Sequence, residues 1–188
     1  MSLQEKMYYT YGDIMDLDDG NRYELYDGQP VALASPSNIH QEISLALVVQ
    51  LYGYLRGKRC KVYHAPFDVR LFEQENDRSR NVKDVVQPDI TVVCDESKLA
   101  GRGCKGAPDF IIEILSPSTM RTDRLVKFNL YQKAGVKEYW IVDPETQVVL
   151  VHKLEEGQYG SPEVYTSQSS VPVGVLENCA IDLKSVFE

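Results

Sequence analysis

Asp89, Glu113 and Lys127 carry side chains that could act together if the fold gathers them. Asp89 opens the stretch Asp89-Ile90-Thr91-Val92-Val93, and Glu113 lies at the centre of Phe110 to Leu115. The unbroken apolar character of that second run suits a strand covered on both faces. A carboxylate there is expensive: unpaired, it costs several kcal/mol even after relaxation, so it is expected to be paired, protonated or bound to a metal. If the two strands are neighbours, about 4.8 Å apart, with both acids on one face, the carboxylates converge on one divalent ion. Hard oxygen ligands of that kind suit Mg²⁺ or Mn²⁺.

Two helices must bring further residues to this pair. Ser35-Pro36-Ser37-Asn38 supplies capping chemistry for a helix over about Ile39 to Arg56. It is apolar around much of its circumference, which predicts burial. At 100° per residue Glu42 falls between Val49 and Ala46, and His40 between Leu47 and Leu51, so both are expected on inward faces. His40 taken alone reads as a satisfied structural histidine. A second helix is predicted from near Thr119 to Thr122 up to Gly135, after Ser116 to Thr119 reverse the chain. Its apolar arc, Leu130, Ala134, Tyr131 and Phe128, contains Lys127.

Around these, Arg22 to Val31 alternates and turns at Asp27-Gly28, a strong hairpin signal. Lys61 to His64 and Phe67 to Phe72 read as strands broken at Pro66, and Asp84 to Val93 as one strand with Pro88 at its start or edge. Cys94 to Pro108 reads as a mobile connection. Glu138 to Val142 and Gln147 to Leu154 form a hairpin across Asp143-Pro144-Glu145-Thr146, with edge strands near Tyr159 to Tyr165 and Cys179 to Leu183. This order predicts an α/β (α+β) fold, a mixed sheet flanked by helices with hairpins at both ends, in a single domain over residues 1–188.

The composition bounds function. Lys and Arg number 20 against 28 Asp and Glu, for a net charge of -8, a poor footprint for coating nucleic acid by charge alone. Residues 56–105 nevertheless hold 11 Lys/Arg against 8 Asp/Glu; a solvated surface explains this, and contact with phosphates is the alternative. No apolar run approaches a membrane span and no signal peptide is evident, so a cytoplasmic protein with no membrane partner is expected. Cys60, Cys94, Cys104 and Cys179 are scattered without zinc spacing and are expected as reduced thiols. Gly101-Arg102-Gly103 lacks the context of a phosphate loop, and a Ser/His/Asp triad has little support.

The stretches Tyr23-Glu24-Leu25-Tyr26-Asp27-Gly28, Ser35-Pro36-Ser37 before His40, Asp68-Val69, Gln87-Pro88-Asp89-Ile90, Glu113 to Thr119, and Lys127 to Pro144 together resemble the Uma-type family of uncharacterised bacterial proteins, placed within the PD-(D/E)xK nuclease superfamily. The resemblance implies a restriction-endonuclease-like core in which Asp89 and Glu113 bind Mg²⁺ or Mn²⁺ and Glu42 replaces the acid that the first core helix often supplies. It departs at Leu115, where the superfamily has its lysine; Lys127 would have to reach the same point, or the site is degenerate. The expected function is a metal-dependent endonuclease with nucleic acid, DNA above all, as substrate, homodimerisation left open. The alternative is a nuclease-fold protein that binds without turnover.

Overall fold

The computed structural model describes residues 6–74, 76–116 and 122–188. The predicted reversal after Ser116 and the start of the second helix fall mostly on 117–121, outside the described residues. A short helix α1 (Tyr11–Met15), boxed by Thr10 and Asp13, precedes the hairpin β1 (Tyr23–Tyr26) and β2 (Gln29–Ala32). Asp27 and Gly28 both have positive φ, 48° and 75°, the turn that suits the twist of a two-residue hairpin. Helix α2 (Asn38–Leu55) starts where Ser37 accepts from the His40 backbone N–H at 3.2 Å.

Next come β3 (Lys61–His64), β4 (Asp68–Arg70), β5 (Val85–Val86), β6 (Ile90–Val93), β7 (Leu99–Ala100), β8 (Gly103–Lys105) and β9 (Phe110–Ile114). The single strand expected over 84–93 is two, in different sheets, divided at Pro88, which has no N–H to continue a ladder. The connection expected to be mobile contains β7 and β8, and β8 lies parallel to β4. Gly103 makes that approach possible: a Cβ there would fall 1.8 Å from the Asp68 carbonyl oxygen. A π-helical turn, Thr122–Lys127, leads into α3 (Phe128–Ala134), which stops at Gly135 with φ 89°. The chain ends with β10 (Glu138–Asp143), β11 (Val148–Glu155), β12 (Gln158–Tyr159), β13 (Glu163–Thr166), β14 (Ser170–Pro172) and β15 (Ala180–Asp182).

Among the described residues the strands build a mixed α+β fold of two larger sheets, β2-β1-β5-β4-β8-β7 and β12-β11-β10-β9-β6-β3 with β13 beside β11, plus the ribbon β14-β15. Strand β9 runs parallel to β10 and antiparallel to β6. Its even residues, Phe110, Ile112 and Ile114, pack with Ile43, Leu47, Leu51 and Leu55 of α2. Its odd apolar residues, Ile111 and Leu115, pack with Tyr131 of α3 and with Val69 and Val86 of the other sheet. Both faces are covered, which is why the run around Glu113 is continuously apolar.

The thiol expectation is corrected for two residues. Cys60 and Cys94 form a disulfide, because the antiparallel register that sets Lys61 opposite Val93 brings the next pair together. Cys104 and Cys179 are free and buried; burial pushes the Cys104 thiol up to about 12, so it stays protonated.

His152 is buried in an aromatic cluster with Phe128, Tyr139 and Tyr159. Burial lowers its pKa, opposed by a backbone hydrogen bond at Gly160. Below the ordinary imidazole value the unfolded chain takes up a proton that the folded chain refuses, so stability falls as pH drops through that value. Urea unfolding at about pH 7.5 and about pH 5.5 should show a larger acid loss in the wild type than in His152→Phe; equal losses would remove His152 from the acid response.

Candidate functional site

The strand register assembles the two acids. Ile90 pairs with Ile112 and Thr91 with Ile111, so one step outward Asp89 stands opposite Glu113 on adjacent antiparallel strands. Asp89 lies just before β6, and its Oδ2 accepts from the Ile114 N–H at 2.7 Å and faces His40 Nε2 at 3.1 Å. Glu113 is 3 % exposed.

Helix α3 and the preceding π-turn supply Glu113's partners. Lys127 Nζ lies 2.9 Å from Glu113 Oε1, and Tyr131 OH, one helical turn on, donates to the same oxygen at 2.6 Å. Lys127 is 4 % exposed, and its second partner comes from the other sheet: Glu24 Oε1 of β1, 3.0 Å from Nζ. Burial alone would lower the Lys127 pKa, but Glu113 and Glu24 together outweigh it and hold the ammonium well above its usual value. Burial, then Glu113, pushes the Tyr131 hydroxyl well up, so it remains a donor.

Glu24 is itself fixed on both sides. Its Oε1 accepts from the Gln87 N–H at 2.7 Å and its Oε2 from Tyr26 OH. The network continues as Gln87 Nε2 donates to Asp68 Oδ1 at 2.8 Å and Tyr11 OH to Asp68 Oδ2 at 2.6 Å; burial, then Asp68, pushes the Tyr11 hydroxyl up to about 12. Both sheets and α1 therefore brace the lysine. A further buried acid, Glu138, lies elsewhere and is answered by Trp140 Nε1 and the Val175 N–H.

The cluster opens on a cleft of about 950 Å³. It lies past the carboxyl ends of the parallel pair β9 and β10, walled by the N-terminal half of α2 and the 33–37 loop, the position where open sheets bind ligands. Asp89, Glu113 and Lys127 all line it, with His40, His64 and Gln87.

Glu42 is not part of this arrangement. It is exposed and does not line the cleft, which corrects the expectation of an inward Glu42. Helix α2 buries Ile43, Leu47, Leu51 and Leu55 and leaves Leu45, Val49 and Tyr52 exposed, so the arc shared by Glu42 and Val49 faces outward. The helix contributes His40 instead. Arg124 pairs with Asp143 at 3.2 Å rather than with Glu113. The basic segments of 56–105 do not line the cleft, where the cations among the described residues are Arg22 and Lys127.

Chemically the arrangement offers two carboxylates on adjacent strands and a protonated amine beside one of them. Among the described residues no three of His, Cys, Asp and Glu gather into a metal cage. An oxygen-only pair fits a hard cation that keeps most of its own waters, as Mg²⁺ does, better than one that demands a full protein cage. No helix among the described residues is long and apolar enough to cross a membrane.

The chain is similar to an uncharacterised protein of Synechocystis sp., 27% identical over 140 residues, 73% of this chain and 70% of that protein. It shares its fold, at a TM-score of 0.72 and 21% identity, with the crystal structure of "a putative nuclease belonging to DUF820" from Anabaena variabilis; the match covers 95% of this chain and 97% of that one. Residues 9–184 match the family Uma2, described as "Putative restriction endonuclease". That span takes in Glu24, Asp89, Glu113 and Lys127, and the chain belongs to this family.

Proposed function

We propose that the chain is a metal-dependent endonuclease of the PD-(D/E)xK type that hydrolyses phosphodiester bonds in nucleic acid, DNA first. The observation that carries this reading is the placement of Asp89 and Glu113 opposite each other across β6 and β9, with the Lys127 ammonium 2.9 Å from Glu113 and all three on one cleft. Asp89 and Glu113 would hold Mg²⁺ or Mn²⁺. Such an ion, when bound, polarises a phosphate oxygen and lowers the pKa of a bound water. Lys127 keeps a positive charge where negative charge develops on the phosphate. Leu115 occupies the usual place of that lysine, and Lys127 supplies the ammonium from the following helix. Two such centres, one in each subunit of a homodimer, would cut both strands of a duplex in one encounter.

A second reading, a binding module without turnover, is favoured by the charge of the cleft: Asp89, Glu113, Asp143 and Glu145 line it against Arg22 and Lys127. One experiment separates the two. Plasmid and single-stranded DNA incubated with Mn²⁺ should be cut, EDTA should stop the cutting, and Glu113→Gln should abolish it. Retention of nucleic acid without any cutting would establish the second reading in place of the first.

A further inference from the structure

Glu24 is buried, 2 % exposed, and lies behind Lys127 rather than on the cleft wall. Yet its Oε1 lies 3.0 Å from Lys127 Nζ, almost as close as Glu113 at 2.9 Å. An ammonium with one carboxylate partner would be driven away once a divalent cation shared that partner, because the two cations repel at short range in a poorly screened site. Lys127 has a second anchor that the cleft does not reach. That anchor cannot swing, since Gln87 N–H holds one oxygen and Tyr26 OH the other.

We infer that Glu24 is a positioning residue that keeps Lys127 beside Glu113 when a metal is bound and tunes the local charge to one divalent cation. Glu113 and Glu24 stand against Lys127, and together with Asp89 across the strand pair the four groups carry two net negative charges. One Mg²⁺ or Mn²⁺ cancels that charge. Without Glu24 the same lysine would leave a single negative charge, too little for a divalent ion in a buried setting. This inference rests on the metal-dependent reading above.

The test is Mn²⁺ affinity, followed by electron paramagnetic resonance of the free ion and by the shift of the melting curve, at one pH. Glu24→Gln keeps the side-chain shape and should weaken Mn²⁺ binding by about tenfold or more, as losses of supporting residues around metal ligands commonly do. The double variant Glu24→Gln with Lys127→Met removes one charge of each sign and should recover most of that loss, which a purely structural role for Glu24 does not predict. If Glu24→Gln alone fails to melt cooperatively, Lys127→Met is compared with the double variant, and the double variant should bind Mn²⁺ more weakly. Wild-type affinity in Glu24→Gln, or a double variant no better than Glu24→Gln, overturns this inference alone. A wild type that binds no Mn²⁺ overturns it together with the metal reading.

Discussion

Lys127→Met should lose phosphodiester cleavage by a factor of about 10² to 10³, the usual effect of removing one group aimed at developing charge, while still binding Mn²⁺. The same substitution should lower stability without metal. It leaves Glu113 and Glu24 buried and facing each other's charge with their shared cation gone, and breaking a buried ion pair from one side costs about 3–5 kcal/mol. For a chain of this length that corresponds to a fall in melting temperature on the order of 10 °C. Adding Mn²⁺ should restore part of it, because a cation then returns to Glu113. The two readouts separate roles. A variant that still cuts at the wild-type rate would strip Lys127 of any part in the chemistry, however large its effect on stability. A variant that neither cuts nor binds Mn²⁺ would show that the lysine merely holds the acids in place.

How much of this was legible in the sequence depended on whether the decisive contacts were local. Ser37 as a cap, the positive-φ turn at Asp27-Gly28 and the Gly135 stop are written in adjacent residues, and the structure has each of them. Glu113 announced itself because a carboxylate inside an apolar run has few explanations, and Lys127 because the following helix carries it on its apolar arc. Glu24 gave no such signal. In Tyr23-Glu24-Leu25-Tyr26 simple alternation sets it opposite Leu25, on a face that a lone hairpin would leave to solvent. The face is covered because the π-turn before α3, about a hundred residues later, brings Lys127 against it, with Gln87 alongside. Tyr131 was visible only as a core aromatic, although its place one helical turn after Lys127 puts both on one side of the helix.

Glu42 failed for a different reason. Helix α2 is apolar nearly all round, so its sequence cannot say which apolar arc meets the sheet. Ile39, Leu45, Val49 and Tyr52 are each more than half exposed, and Glu42 belongs with that side. The buried line Ile43, Leu47, Leu51 and Leu55 advances by four residues at a time, and His40 sits on its edge, near enough to reach Asp89. Likewise Cys60 and Cys94 lie 34 residues apart, and only the register of β3 on β6 makes them neighbours.

Mn²⁺ at about a hundred times its dissociation constant should raise the stability of the wild type by about 2.7 kcal/mol, the amount by which mass action favours a folded state that alone binds the ion. Asp89→Asn and Glu113→Gln should each lose most of that rise, since each removes one of two carboxylates set opposite each other across β6 and β9. Their metal-free stabilities should differ in an informative way. Glu113→Gln leaves Lys127 its ion pair with Glu24 and keeps an acceptor for Tyr131, so the buried ammonium stays answered. Asp89→Asn disturbs less: an amide oxygen can still accept from the Ile114 N–H, and the residue is on the cleft rim beside His40. Asp89→Asn should therefore melt close to the wild type without metal, and Glu113→Gln several degrees lower. Differential scanning calorimetry with and without Mn²⁺ reads both quantities in one series. If both variants keep the full metal response, the ion binds elsewhere and the pair is not its site. If only Asp89→Asn keeps it, Glu113 alone holds the ion and the opposed placement of the two strands is incidental to binding.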